Sequence, residues 1–79
     1  MALITSFDKL TVDRTRVHPT QVECRYGSFE RYGRRYLVLE TSGSDDRKMP
    51  GKVSQTMQLS AESARELGRI IKQTFPELS

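Results

Sequence analysis

The 79-residue chain holds one cysteine, Cys24, and one histidine, His18. A single cysteine excludes an intrachain disulfide and a cysteine-based zinc site. An unpaired thiol suits a reducing compartment. Long apolar runs are also missing. The run in "MALITSFDKL" stops after four residues, too short for a signal-peptide core or a membrane span. The expectation is a cytoplasmic protein with no membrane contact. Catalytic pairs are equally scarce. His18 precedes a proline, and Cys24 alternates with polar residues as a core residue would, so nothing joins a nucleophile to a base. The chain is read as non-enzymatic, with no cofactor and no metal.

Residues 42 to 60, "SGSDDRKMPGKVSQTMQLS", hold the densest cluster of turn formers. Asp45 and Asp46 are adjacent, without the alternating oxygen ligands and closing glutamate of a calcium loop. Gly51-Lys52 has the wrong spacing for a phosphate-binding loop, and Val53 stands where a magnesium-binding hydroxyl belongs. The stretch reads as a connection between strands.

One domain spans 1–79. A chain this short buries only roughly 60% of the surface its unfolded form exposes. Without disulfides or metals, the usual supplement is a partner subunit, so a homodimer is expected. Thirteen basic residues against ten acidic give a net charge of +3. The excess lies in the first half, with seven basic and four acidic residues up to Leu39 and six of each from Glu40 onward. This balance permits nucleic-acid binding without requiring it.

Along the chain, residues 1–9 lack periodicity and are expected to form a loose arm. Leu10 and Val12 alternate with polar neighbours as a modest strand, which His18-Pro19 closes. In "TQVECRYGSFERY", Val22, Cys24 and Tyr26 share one face, and Gly27 offers a bulge that shifts Phe29 inward. Tyr32-Gly33 marks a turn. "RRYLVLET" follows, with Leu37 and Leu39 on one face and Tyr36 and Val38 on the other, as in a strand covered on both sides. "KVSQTMQLS" alternates again. Ser60 then caps a helix carrying Glu62 in its first turn and an apolar stripe of Ala64, Leu67, Ile71 and Leu78, widened by Ile70 and Phe75. Pro76 ends it near Thr74 or Phe75. Gly68 beside the stripe is explained by close approach of the sheet or a partner helix. On the outer side Glu62 and Glu66 precede Arg65 and Arg69 by three residues, giving an ion-paired face. The fold class is α+β: a four-stranded antiparallel sheet followed by one C-terminal helix.

What remains is basic and aromatic. Arg25, Arg31, Arg34 and Arg35 interleave with Tyr26, Phe29, Tyr32 and Tyr36 across one hairpin, and Lys48 and Lys52 flank the next turn. Single-stranded nucleic acid is gripped in this way, with rings stacking on bases and cations neutralising phosphates. The candidate contacts are Arg25, Arg31, Tyr32, Arg34, Arg35, Tyr36, Lys48 and Lys52.

Residues 34–71 resemble the single-stranded-DNA-binding domain of the transcriptional positive cofactor four family. The parallel elements are the strand Tyr36 to Thr41, then Lys48-Met49-Pro50-Gly51-Lys52, Gln58-Leu59-Ser60, and Leu67 with Ile71 on the helix. The likeness covers about half the chain. It implies a homodimer whose basic and aromatic side chains line a groove for single-stranded DNA, in transcription or DNA metabolism. The alternative is a protein-interaction module, a regulator or small subunit, that docks another polypeptide on the doubly apolar strand Tyr36 to Leu39.

Overall fold

The computed structural model describes residues 1–42 and 53–78. Its elements are β1 (Ala2–Ile4), β2 (Cys24–Arg31), β3 (Arg34–Ser42), β4 (Val53–Leu59) and α1 (Ala61–Thr74), followed by a single 3-10 turn, Pro76–Leu78. The α+β class, with four strands and one C-terminal helix, is as the sequence predicts. The sheet order is β1-β4-β3-β2. β2, β3 and β4 are antiparallel neighbours, but β1 runs parallel to β4, so the sheet is mixed rather than wholly antiparallel.

The first strand also lies elsewhere than expected. Ala2–Ile4, placed by the sequence in a loose arm, supplies β1, whereas residues 5–23 contain no helix or strand. Leu10 and Val12 are exposed. Two apolar positions among charged neighbours give a strand too little to bury, and β4 already has its partner in β1. His18 shapes a local turn instead, its Nδ1 accepting a hydrogen bond from the Thr20 N–H at 3.0 Å.

β2 and β3 form a hairpin around Tyr32-Gly33. Both turn residues have positive φ, 52° and 75°, the left-handed geometry that matches a two-residue turn to the twist of its strands. Pairing is continuous from Arg31↔Arg34 to Cys24↔Thr41. Gly27 therefore makes no bulge; it pairs with Val38, and the irregularity falls between Thr41 and Ser42. An unbroken register fixes two faces. Tyr26, Ser28, Leu37, Leu39, Met57 and Leu59 lie on one. Arg25, Gly27, Phe29, Tyr36, Val38, Thr56 and Gln58 lie on the other.

α1 packs on the Leu37–Leu59 face. Ser60 caps it, with a reciprocal box in which the Ser63 N–H donates to Ser60 Oγ at 3.3 Å and the Ser60 N–H to Ser63 Oγ at 2.9 Å. Ala64, Leu67 and Ile70 are half-buried, whereas Ile71, Phe75 and Leu78 stay exposed, so the inward stripe is narrower than expected. Among the described residues Leu59, 1% exposed, is the only fully buried hydrophobic side chain. α1 reaches β3 and β4 and leaves β2 uncovered, so Cys24, which the sequence placed in the core, is exposed, as is Tyr26 on the same face. The accessible surface is 7465 Å², against about 4,900 Å² for a folded monomer of this mass. The radius of gyration is 14.9 Å, against about 12 Å for a compact chain of this length.

Two glycines predict opposite outcomes. Gly33 sits at φ 75°, so Gly33→Ala is expected to cost roughly 1–2 kcal/mol. At Gly68 an added Cβ meets nothing within 4 Å, so no close approach among the described residues explains this glycine. Gly68→Ala is expected to raise helix stability by up to about 1 kcal/mol. Urea unfolding of the two variants checks both signs.

Candidate nucleic-acid interface

Among the described residues no helix or strand covers the face of the sheet away from α1. At its centre Phe29 on β2 pairs directly with Tyr36 on β3, and their rings stack with centroids 5.3 Å apart and planes 22° from parallel. Such cross-strand aromatic pairs support the hairpin and leave their outer π surfaces free. Gly27 is the next residue on this face of β2. It has no side chain, and nothing stands within 4 Å of where a Cβ would be. The result is a shallow depression of about 240 Å³ beside the ring pair, lined by Arg25, Tyr26, Gly27, Ser28, Val38 and Glu40. Towards β1, Gln58 Nε2 donates to Met1 Sδ at 3.8 Å, which places Met1, and with it Leu3, on the same face.

The arginines divide between the two sides. Arg25 stands on the open face opposite Glu40. Arg31 also lies there, close to the turn; its guanidinium is 5.0 Å from the centroid of the Tyr32 ring and donates to the Tyr32 hydroxyl at 3.3 Å. Tyr32 is 89% exposed at the hairpin tip. Arg34 occupies an open-face position at the end of β3, but its guanidinium turns to the helix and meets Glu62 at 3.3 Å. Arg35 projects to the helix side and pairs with Glu30 at 3.7 Å. The structure thus brings Arg25, Arg31 and Tyr36 to one face, whereas the guanidinium of Arg34 and the side chain of Arg35 lie toward the helix. Lys48 and Lys52, with Asp45 and Asp46, lie outside the described residues. Phe29 is the participant that the list of sequence candidates lacks. Its parity with Tyr36 was readable once the turn is fixed at Tyr32-Gly33, and the assumed bulge at Gly27 hid it.

Charges on α1 form local pairs. Arg69 bonds Glu66 as the i, i+3 spacing predicts, whereas Glu62 pairs across to Arg34 rather than along the helix to Arg65. The Glu62 carboxyl is held below the ordinary glutamate range. A hydrogen bond from its own backbone N–H is the largest cause, followed by the Arg34 charge and a hydrogen bond from Ser60. Free N–H groups in the first helical turn favour an anion at this position.

Comparison with protein-family models, with curated proteins and with solved structures finds no match to this chain. Its functional reading rests on the geometry. Among the described residues no helix is long and apolar enough to cross a membrane.

The depressed Glu62 carboxyl gives a pH signature. A group whose pKa falls on folding contributes stability above its unfolded pKa and loses it as pH drops through the folded one. Glu62→Gln is therefore expected to melt below wild type at pH 7. The gap should close as pH falls through the carboxylate range. Melting curves from pH 7 to 3 test this, and a gap independent of pH would contradict the assignment.

Proposed function

We propose that this chain is a small non-enzymatic protein that binds single-stranded nucleic acid, single-stranded DNA foremost, on the open sheet face. It acts as a cytoplasmic homodimer in transcription or DNA metabolism. The observation that carries this reading is the Phe29–Tyr36 stack, uncovered and flanked by Arg25 and Arg31. Bases stack on exposed rings with little regard to sequence, and the neighbouring cations neutralise the backbone. The depression at Gly27 lets a base resting on Phe29 lay its edge between Arg25, a donor, and Glu40, an acceptor. Tyr32 at the turn end extends the path. The resemblance of residues 34–71 to the transcriptional positive cofactor four family points to the same ligand.

Fluorescence anisotropy of labelled oligonucleotides across a salt series tests the proposal. Affinity should fall steeply with salt, because each neutralised phosphate releases counterions. Arg25→Ala should flatten the slope by about one unit. Arg35→Ala, on the helix side, should leave it unchanged. Phe29→Ala should weaken single-strand binding by about 1–3 kcal/mol with little change in slope, in protein shown by circular dichroism to be folded. If wild-type protein binds no oligonucleotide at low salt, the reading fails. The strand Tyr36 to Leu39 is then a docking surface for another polypeptide.

A further inference from the structure

We infer that β2 is the homodimer interface: two copies pair edge to edge, antiparallel about Gly27, to form one continuous eight-stranded sheet. The inference rests on the homodimer reading and assigns it a surface and a register. Among the described strands β2 has a neighbour only on its β3 side, all of its residues are exposed, and no proline interrupts it. Its hydrogen-bonding phase is readable at both ends. The Ser42 N–H donates to the Glu23 carbonyl at 3.5 Å, and the two-residue turn closes on Arg31 and Arg34. Inward bonds therefore belong to the odd residues, Glu23 to Arg31. The backbone N–H and C=O groups of Cys24, Tyr26, Ser28 and Glu30 point outward, where no described residue pairs with them.

The side chains argue for a second copy over a foreign strand. A two-fold axis normal to the sheet keeps each face on its own side, so odd residues meet odd residues and even meet even. Centred on Gly27, the pairing sets Glu23 opposite Arg31 of the second copy, twice by symmetry. Arg25 then lies beside Phe29 of the second copy, where a guanidinium and a ring attract, and Tyr26 exchanges backbone bonds with Ser28. The next allowed register, centred on Ser28, puts Arg25 against Arg31 and is disfavoured by like charge. The other neighbouring register, centred on Tyr26, sets Arg25 beside Gly27 and Glu23 beside Phe29 and forms no ion pair, so the strand is best matched to itself about Gly27. Edge strands are usually kept from such pairing by unmatched charge or proline; here the charges match.

Sedimentation equilibrium at micromolar concentration is the test. Wild type should be a dimer. Ser28→Pro removes an outward N–H that the β2–β3 ladder does not use, and is tolerated on an edge; it should weaken dimerisation at least tenfold without changing the circular dichroism spectrum. Glu23→Arg and Arg31→Glu should each weaken it, and the double reversal should restore it to within a few-fold of wild type. In a Cys24→Ser background, oxidised Gly27→Cys should form a disulfide-linked dimer and Ser28→Cys should not, because Cα atoms of a pair without backbone bonds stand about 4.5 Å apart, within reach of a disulfide. Wild type that sediments as a monomer would overturn the homodimer reading itself. A dimer that survives Ser28→Pro at full strength, fails to recover in the double reversal, or is lost instead with Ile71→Glu on the helix would overturn the edge pairing alone.

Discussion

One helix cannot cover four strands, and the rest of the structure follows from that mismatch. α1 is 14 residues long, about 21 Å, and with side chains about 10 Å wide. Strands spaced about 4.8 Å apart let it roof two of them. It settles over the junction of β3 and β4, where Leu37 faces Leu59, and Leu59 becomes the fully buried hydrophobic side chain of the described fold. β2 is left bare on both faces and along its outer edge. Among the described residues no second layer of helix or strand covers the opposite side of the sheet. A core this thin explains why local devices are dense around it: the Ser60–Ser63 box, the Glu62–Arg34 bridge from helix to sheet, and a hairpin turn with matched twist.

Much of this was legible in the sequence because it depends on short-range chemistry. Ser60 and Pro76 delimit a helix through backbone donors and a missing N–H, and both act within a few residues. Tyr32-Gly33 announces a turn for the same reason. The alternation of Leu37 and Leu39 against Tyr36 and Val38 is a property of β3 alone. The failures are those of long-range pairing. Nothing in "ALI" announces a strand; it becomes one because β4 offers an edge, and Ile4 finds Leu59 there. Leu10 and Val12 carry the better local pattern and find no edge.

The candidate site shows the same division. That arginines and tyrosines crowd one hairpin is plain from composition, but which of them share a face depends on a register that one assumed bulge inverts. With Gly27 paired to Val38, Phe29 joins Tyr36 and leaves the Cys24–Tyr26 face. Arg34 and Arg35 start from opposite faces of β3, yet the Arg34 guanidinium turns back to Glu62 on α1 while Arg35 meets Glu30. A pair that looks like a basic cluster in the sequence is therefore two separate ion pairs in the fold.

Gly27 joins the proposed ligand site to the proposed interface. In a strand interior a glycine weakens the strand and marks close approach by a ligand or another backbone. Among the described residues nothing approaches: an added Cβ would meet open space. The proposed edge pairing supplies such an approach from outside the chain. Edge pairing about Gly27 puts two glycines side by side on the open face, with Val38 of each copy beneath the flanks of a shallow trough. Phe29 of each copy stands four residue positions from its mate along the strand direction, about 14 Å. A ring platform then closes each end of the trough, and Arg25 lies next to the platform of the other copy. A dimer built this way makes one continuous path from two half-sites, with its glycine floor at the symmetry axis and its stacking surfaces on either side.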